Sequence, residues 1–376
     1  MASGVSLVIF EGGAAPSPAE RMLAGLRRAV VQDTLERARQ VALIERVLVV
    51  TDSEELAEDA RARGAEVDLD AAAGQFHFGR RLAEVVRRHR LHRVMYMSGG
   101  LGALATPDDL RWVARELVRR PSCLITNNPY SADLVAFCPG EAVERIEPPQ
   151  LDNSLAMALS AGAGLPLVTP PRTLGLHFDI DTPAEMLVLA VHPGAGPHAR
   201  RYLQSQALDL ARVRRVLKVL ADCRADLLLF GRIGAPLFHY LDDRTRCRLR
   251  VLSEERGMKA LGRDVRGEVT SLLGYLWEAV GSEGLFQRLA HMAQGALVDS
   301  RVLFAHRRWD VSQADRFLSD LGEWEEIGHP GVREFTRAAA EAGIPVLLGG
   351  HSLVSGGIWA LVDVYLRGGA TPVTKE

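Results

Sequence analysis

Three segments of this chain carry residues whose types and spacing could do chemistry. Glu11-Gly12-Gly13-Ala14-Ala15 follows directly on the apolar run Val5 to Phe10. Backbone N–H groups in a glycine loop leaving a strand can face an anion without side-chain obstruction, which suits phosphate. A plain strand-to-helix turn wants the same glycines, so the loop alone leaves both uses open. Phe178-Asp179-Ile180-Asp181-Thr182-Pro183-Ala184-Glu185-Met186 brings two carboxylates to the end of an apolar segment, where they could ligate a divalent cation. The same residues also describe a strand end followed by a Thr cap and a Pro in the first helical turn. The third segment, Leu347-Leu348-Gly349-Gly350-His351-Ser352-Leu353-Val354-Ser355-Gly356-Gly357, surrounds His-Ser with four glycines that let the backbone approach a ligand. Ser352 beside His351 brings nucleophilic catalysis to mind, but adjacent residues rarely bond as nucleophile and base. A Gly-x-Ser-x-Gly frame is also missing, which favours an anion-binding loop, with tight helix packing equally open.

Charged residues in apolar frames add further candidates in the second half. Arg248 to Arg266, with Glu255, Arg256 and Arg263 beside Gly257 and Gly262, reads as a fixed loop or a surface charge run. Asp299-Ser300-Arg301-Val302-Leu303-Phe304-Ala305-His306 reads as a buried strand with Asp299 and Arg301 on one face and His306 at its end, where α/β sheets bind ligands. Asp315, Arg316 and Asp320 fall on a helix opened by Ser312, with Arg316 and Asp320 one turn apart and able to pair at the surface. The candidate pocket of this half is therefore Arg256, Arg263, Asp299, Arg301, His306, His351 and Ser352.

Composition narrows the classes. The chain has 376 residues, enough for two hydrophobic cores, with 47% hydrophobic and 24% charged residues. Lys plus Arg (45) balances Asp plus Glu (47), so charge makes no case for nucleic acid. Most basic residues are Arg, which favours bidentate pairing with carboxylate or phosphate. Cys123, Cys138, Cys223 and Cys247 show no metal-ligand spacing and read as buried thiols in a reducing compartment. No signal peptide and no membrane-length apolar run is visible, so the expectation is a cytoplasmic protein without membrane contact. A homo-oligomer remains open.

The elements that must position these residues follow from periodicity. Buried β-branched runs alternate with amphipathic segments through the first half, which predicts strand-helix units around a mostly parallel sheet. Strands are expected at Val5 to Phe10, Val47 to Thr51, Val94 to Met97, Ser122 to Thr126, Leu134 to Cys138, Pro166 to Val168 and His177 to Asp181. Helices are expected at Pro18 to Val41, Glu54 to Arg63, Phe78 to His89, Asp108 to Arg119, Asn153 to Ala161 and from Thr182-Pro183 onward. The breaker-rich His192 to His198 places a boundary between domains 1–192 and 199–376. Beyond it the pattern is more helical, an α/β or α domain. Helices are expected at Arg200 to Leu220, Gly267 to Ala279, Phe286 to Ala296, Ser312 to Leu321 and Gly331 to Ala342, with strands at Leu227 to Phe230, Ser300 to Ala305 and Pro345 to Leu348.

Met97-Ser98-Gly99-Gly100-Leu101-Gly102-Ala103-Leu104-Ala105-Thr106-Pro107-Asp108-Asp109-Leu110 and the Asp179 to Met186 segment together, in this order after the glycine loop, resemble the nucleotidyltransferases of cofactor biosynthesis. The likeness is to phospholactate guanylyltransferases of deazaflavin cofactor synthesis and, more distantly, to molybdenum-cofactor guanylyltransferases, over about half the chain. It implies a nucleotide-diphospho-sugar transferase type of fold in the first half, Gly12 and Gly13 near phosphates, Arg21 as phosphate clamp, and Asp179 and Asp181 as Mg²⁺ ligands. It also places Asn127, Asn128 and Asn153 near the nucleotide-binding loops, although each suits a turn or cap equally. The chain departs from the pattern where it matters. Leu101 stands at the family's metal-binding Asp and Ala103 at its Pro, and leucine offers no oxygen to Mg²⁺. The second half resembles no family.

Two functions stay open at this point. One is an enzyme transferring a nucleotidyl group from GTP or CTP to a small phosphorylated or carboxylated acceptor. The other is a degenerate transferase domain acting as scaffold or sensor, with ligand binding or chemistry in the C-terminal pocket. Either way the expected partner is a nucleotide or other phosphorylated small molecule.

Overall fold

A computed structural model describes residues 4–70, 76–129 and 132–368. The chain resolves into two compact units, one of residues 1–15, 24–179 and 196–199, the other of 16–23, 180–195 and 200–376.

The first unit is built on a seven-stranded sheet. Its strands are β1 (Val5–Phe10), β2 (Ile44–Thr51), β3 (Glu66–Leu69), β4 (Val94–Ser98), β5 (Cys123–Thr126), β6 (Leu134–Cys138) and β7 (Leu167–Val168), in the order β3-β2-β1-β4-β6-β5-β7. Every pairing is parallel except those of β6 with β4 and β5. The unbroken apolar run of β1 has the reason expected of a central strand, because both of its faces are covered. Leu7 and Ile9 pack in one core with α1 (Pro18–Ala38), α2 (Glu54–Ala62) and α4 (Pro107–Arg119). Val8 and Phe10 pack in another with α3 (Phe78–Arg88) and α5 (Leu155–Ala163). The mostly parallel α/β architecture read from the sequence is thus present. Strand β3 is new, a short edge too polar to announce itself, and residues 178–181 are extended chain without strand pairing.

The second unit is a smaller doubly wound sheet, more strand-rich than expected. Strands β8 (Asp226–Gly231), β9 (Arg248–Ser253), β10 (Gly295–Asp299) and β11 (Val346–Gly349) are all parallel, in the order β11-β10-β8-β9. Helix α6 (Pro183–Val191) is followed by α7 (Pro197–Gln204), which starts in the first unit, and α6 with α8 (Ala211–Ala221), α9 (Ala235–Arg244), α10 (Leu272–Met292), α11 (Ser300–His306), α12 (Gln313–Leu321), α13 (Pro330–Ala340) and α14 (Ile358–Arg367) belongs to the second. The boundary at 192 does not hold for α6, whose apolar PAEMLVLAV sequence packs on α8, β11, α12 and α14. Chain order leaves β8 toward β9 on one side and continues to β10 on the other. The connections therefore diverge between β8 and β10, the position where open α/β sheets bind ligands.

Several expectations shift here. Residues 300–306 are helix α11, and the strand lies one segment earlier, at 295–299. Both segments are buried all round, so periodicity could not separate them. The face alternation assigned to Asp299 and Arg301 falls with that strand. Arg248 to Ser253 is an edge strand, not loop, its Arg248 and Arg250 pairing with Asp226. The helix expected over 200–220 is two, and those expected over 267–279 and 286–296 form one run bent at Gly281, φ 72°. Cys123, Cys138 and Cys247 are buried thiols as expected, whereas Cys223 is exposed. No described helix is long and apolar enough to cross a membrane.

Gly231 ends β8 at φ 124°, and a Cβ there would lie 2.2 Å from the Cβ of Asp299. Only glycine lets the ends of β8 and β10 approach this closely. Gly231→Ala should therefore lower stability by about 2–5 kcal/mol, combining backbone strain with overpacking. Urea denaturation checks this; an unchanged midpoint would contradict the close approach.

Candidate functional site

In the first unit the glycine loop is turned inward. Gly13 N–H donates to both carboxylate oxygens of Asp52, at 3.0 and 3.2 Å, and a Cβ on Gly12 would meet Asp52 Oδ1 at 2.3 Å. One donor that a phosphate would use is thus occupied by a carboxylate. Neighbouring Glu11 is buried and bonded to Arg27 Nε at 2.9 Å; burial raises its pKa against the pull of Arg27. Leu101 is fully buried in the apolar core shared with α4.

The other residues implied by the resemblance are placed as follows. Asp179 Oδ1 accepts from Ser98 Oγ at 2.9 Å. Tyr96, at the carboxyl end of β4, donates its hydroxyl to Asp152 Oδ2 at 2.9 Å, and its pKa is pushed well up by burial and then by Asp152, Asp133 and Asp179. Asp152 alone accepts from the phenol, while the charges of Asp133 and Asp179 also oppose its ionisation. Asn127 Oδ1 accepts from the N–H groups of Asn128 and Leu134, at 3.0 and 3.2 Å, Asn128 accepts from Thr126 through its carbonyl, and Asn153 bonds to Asp152. These are turn and cap geometries. Arg21 belongs to the second unit, exposed, donating to the carbonyl of Pro16 at the start of α1. Asp181 also lies in the second unit, so Asp179 and Asp181 are hydrogen-bonded in different units.

The second unit concentrates charge at its strand ends. Asp299, the last residue of β10, is fully buried and accepts from Arg232, just beyond β8, through Nε at 2.6 Å and Nη2 at 3.1 Å. Arg301 donates to Asp320 of α12 through both terminal nitrogens, at 2.6 Å each, and to Ser300 Oγ at 2.9 Å. Asp320 is 2% exposed and pairs with Arg301, which corrects the surface pairing with Arg316 expected from helical spacing. Charge pairs this deep are costly to break: removing one partner typically costs about 3–5 kcal/mol. Burial raises the Asp299 carboxyl, but Arg232, with His351 and Arg301, more than offsets this and holds it ionised.

The loop after β11 completes the cluster. Gly350 lies open to Arg301, since a Cβ there would stand 3.9 Å from its Nε. Ser352 Oγ donates to Asp181 Oδ2. His351 keeps a buried Nδ1 without a hydrogen-bond partner, and burial plus Arg232 lower its pKa to about 4, so the ring is neutral. Glu185, 0% exposed, caps α6 by accepting from Thr182 N–H and Oγ1 through Oε2, while Oε1 is unpartnered. Burial, then Asp181 and Asp320, raise its pKa well above the usual range, which favours the neutral acid.

Not every expected pocket residue joins in. Arg263 is bidentate to Glu255, at 2.9 and 3.0 Å, closing the turn segment after β9. His306 Nδ1 accepts from the N–H of Ser271, the residue that caps α10, at 3.1 Å, and Arg256 is exposed. Asp299, Arg301, His351 and Ser352 do converge. Sequence reading missed Arg232, the role of Glu185 and the true partner of Asp320; Gly231-Arg232 at the end of an apolar run was the available signal for the first.

Among the described residues one set comes within metal-ligand reach, Asp33, Glu36 and His198. It is already committed: Asp33 accepts from the N–H groups of His198 and Ala199, and His198 Nε2 lies 2.7 Å from Glu36. A cavity of about 410 Å³ lined by His192, Arg200 and Gln204 is likewise satisfied internally, with His192 bonded to Asp363 and Arg200 to the carbonyls of Pro193 and Ala195.

No protein-family model matches the sequence, and no curated protein matches it either. Solved structures resemble about half of it. A cytidylyltransferase from Leptospira borgpetersenii is 14% identical, covers 55% of this chain and 98% of its own, and has a TM-score of 0.40. The 4-diphosphocytidyl-2C-methyl-D-erythritol synthase of Anaerococcus prevotii is 12% identical, with 54% and 96% covered and a TM-score of 0.36. CMP:2-keto-3-deoxy-manno-octonic acid synthetase complexed with CTP is 16% identical, with 44% and 88% covered and a TM-score of 0.32.

The raised pKa of Glu185 has a measurable consequence. Above the ordinary pKa of 4.5 the unfolded chain releases a proton that the folded chain keeps, so stability falls as pH rises toward the raised folded value. Gln is neutral throughout and can still cap Thr182. Glu185→Gln should melt higher than wild type at pH 7.5, with the gap closing as pH falls to about 4.5. A gap independent of pH would show that Glu185 is ionised when folded.

Proposed function

We propose that this protein is a transferase-like ligand-binding protein, in which the first unit is a scaffold without metal-assisted nucleotidyl transfer and small-molecule recognition belongs to the second. The observation that carries this reading is the cluster where β8 and β10 diverge. There Arg232–Asp299 and Arg301–Asp320 are buried pairs, and His351 Nδ1 and Glu185 Oε1 lack partners. Buried polar atoms are nearly always satisfied, and orphaned ones gathered at a strand edge ask for a partner from outside the chain. The first unit supports the scaffold half of the reading through Leu101 in the hydrophobic core and Asp52 on the glycine loop. Phosphoryl and nucleotidyl transfer rest on positioned charge stabilisation, so a hydrocarbon at the metal position removes a principal contribution.

One observation favours the rival reading, transfer from GTP or CTP using Mg²⁺ with Arg21, Asp179 and Asp181. Asp152 accepts from Tyr96 and Asp179 from Ser98 at the carboxyl end of β4, which leaves carboxylates there besides the missing aspartate. Thermal melting with GTP and CTP, each with and without Mg²⁺, separates the two. A ligand at a hundredfold its Kd stabilises by about 2.7 kcal/mol, a readily visible shift. The scaffold reading expects no shift that requires triphosphate and metal together. Such a shift, abolished by Asp179→Asn, would replace it with the transferase reading.

A further inference from the structure

Strand β11 ends in two glycines that differ in what the fold asks of them. A Cβ on Gly349 would lie 2.8 Å from Leu353 Cβ and 2.9 Å from Ala184 Cβ, so packing requires glycine there. A Cβ on Gly350 would meet nothing nearer than Thr182 Cγ2 at 3.7 Å and Arg301 Nε at 3.9 Å, which is ordinary contact, and its φ lies outside the left-handed region. Neither packing nor backbone conformation accounts for glycine at this position. The missing side chain leaves an open cradle beside the Arg301 guanidinium.

Hydrogen-bonding atoms without partners border the cradle. Pro345 accepts from Ala296 of β10, so residues 345, 347 and 349 bond toward β10 and Gly350 turns its N–H away from the ladder. Gly350 is buried, and the N–H groups of Gly350 and His351 make no hydrogen bond among the described residues. Buried backbone donors are nearly always satisfied. Arg301 spends Nη1 and Nη2 on Asp320 and Ser300, and its Nε has no partner among the described residues. The His351 ring bonds to the Arg232 backbone; since Nδ1 is unpartnered, that bond is through Nε2 and leaves Nδ1 a bare acceptor. Covalent connection holds Nδ1 close to the two N–H groups. Thr182, which flanks the cradle, bonds to Glu185, whose Oε1 is the other orphan of this neighbourhood.

These are donors beside one acceptor, and the charges around them are already matched. Arg232 and Arg301 are each paired with a buried carboxylate, and Asp181 accepts from Ser352 on the same turn. An anion would set further lone pairs against Nδ1 and a second negative charge beside Asp181. A carboxamide instead carries an acceptor oxygen and a donor nitrogen on one carbon, without net charge. We infer that the turn Gly350-His351-Ser352 receives the carboxamide group of a small molecule, its oxygen taken by the Gly350 N–H and Arg301 Nε and its nitrogen donating to His351 Nδ1. This rests on the second unit being the ligand-binding one.

NMR titration of the full chain with benzamide, and with benzoate and benzyl alcohol as charged and hydroxyl isosteres, tests this through the backbone signals of Gly350, His351 and Ser352. Benzamide should bind about tenfold more tightly than either isostere. Gly350→Ala should weaken benzamide about tenfold or more, because the new methyl fills the cradle. It should nevertheless melt at or above the wild-type temperature, since alanine restricts the unfolded chain more than glycine does. His351→Leu should weaken benzamide similarly, whereas His351→Asn, whose Oδ1 can stand in for Nδ1, should keep most of the affinity. No binding of benzamide, or equal binding by wild type and Gly350→Ala, overturns the inference; the scaffold reading is judged separately, by the triphosphate melts. Benzoate or benzyl alcohol bound as tightly as benzamide, and lost in Gly350→Ala, overturns the carboxamide assignment while leaving the second unit as the ligand-binding one.

Discussion

The buried pair between Arg232 and Asp299 is the constraint on which the second unit's site depends. Two opposite charges at 2.6 Å, the carboxylate fully enclosed, tie the end of β8 to the end of β10 across the gap where the connections diverge. Gly231 must be glycine for the strand ends to come that close, and the pair fixes where the following residues leave the sheet. A buried ion pair is weak as a source of net stability, since desolvation offsets most of the Coulomb gain. Its effect here is positional: it orients a guanidinium with one nitrogen still available, beside a second guanidinium locked by Asp320.

Charge around that pair is arranged asymmetrically. Burial and Arg232 keep His351 neutral, and burial with Asp181 and Asp320 raises the Glu185 carboxyl well above its usual range. In an arrangement selected only for stability, an ionised Glu185 near Arg301 would be the simpler solution. Instead Glu185 spends one oxygen on the cap of α6 and leaves the other unpaired, because Asp181 and Asp320 oppose its ionisation. The first unit shows the reverse balance. Its Tyr96 hydroxyl donates to Asp152 and the Gly13 N–H donates to Asp52, so a loop donor that a triphosphate would use is taken by a carboxylate there.

How much was legible in the sequence follows from what each residue's signal depends on. Central strands β1, β4 and β6 were readable because unbroken apolar runs of that length are buried on both faces. Thr106-Pro107 and Thr182-Pro183 were readable as helix starts because the cap is local chemistry, and both form capping boxes, with Asp109 and Glu185. The error at Ser300 to Ala305 has the opposite origin: a helix buried all round carries no polar face to mark its period. Edge strands β3 and β9 hid behind charged alternation. For the site, His351 and Ser352 were flagged by the glycines around them, but Arg232 had only a single glycine before it. The pairing of Asp320 with Arg301 joins residues 19 apart, and nothing within one helical turn could have announced it.

The same distinction explains why one substitution weighs so heavily in the first unit. Leu101 occupies a position where its own neighbours, Gly100 to Ala105, are folded into a short turn buried with α4. A carboxylate placed there would enter the apolar core or force the turn outward, since an ionised group costs several kcal/mol to bury unpaired. The hydrocarbon is therefore not an isolated change at an otherwise prepared metal position; the surrounding backbone is packed for it. Restoring one aspartate would set a charge against a core already shaped to exclude it, whereas the second unit pairs its buried Asp299 and Asp320 with guanidinium groups.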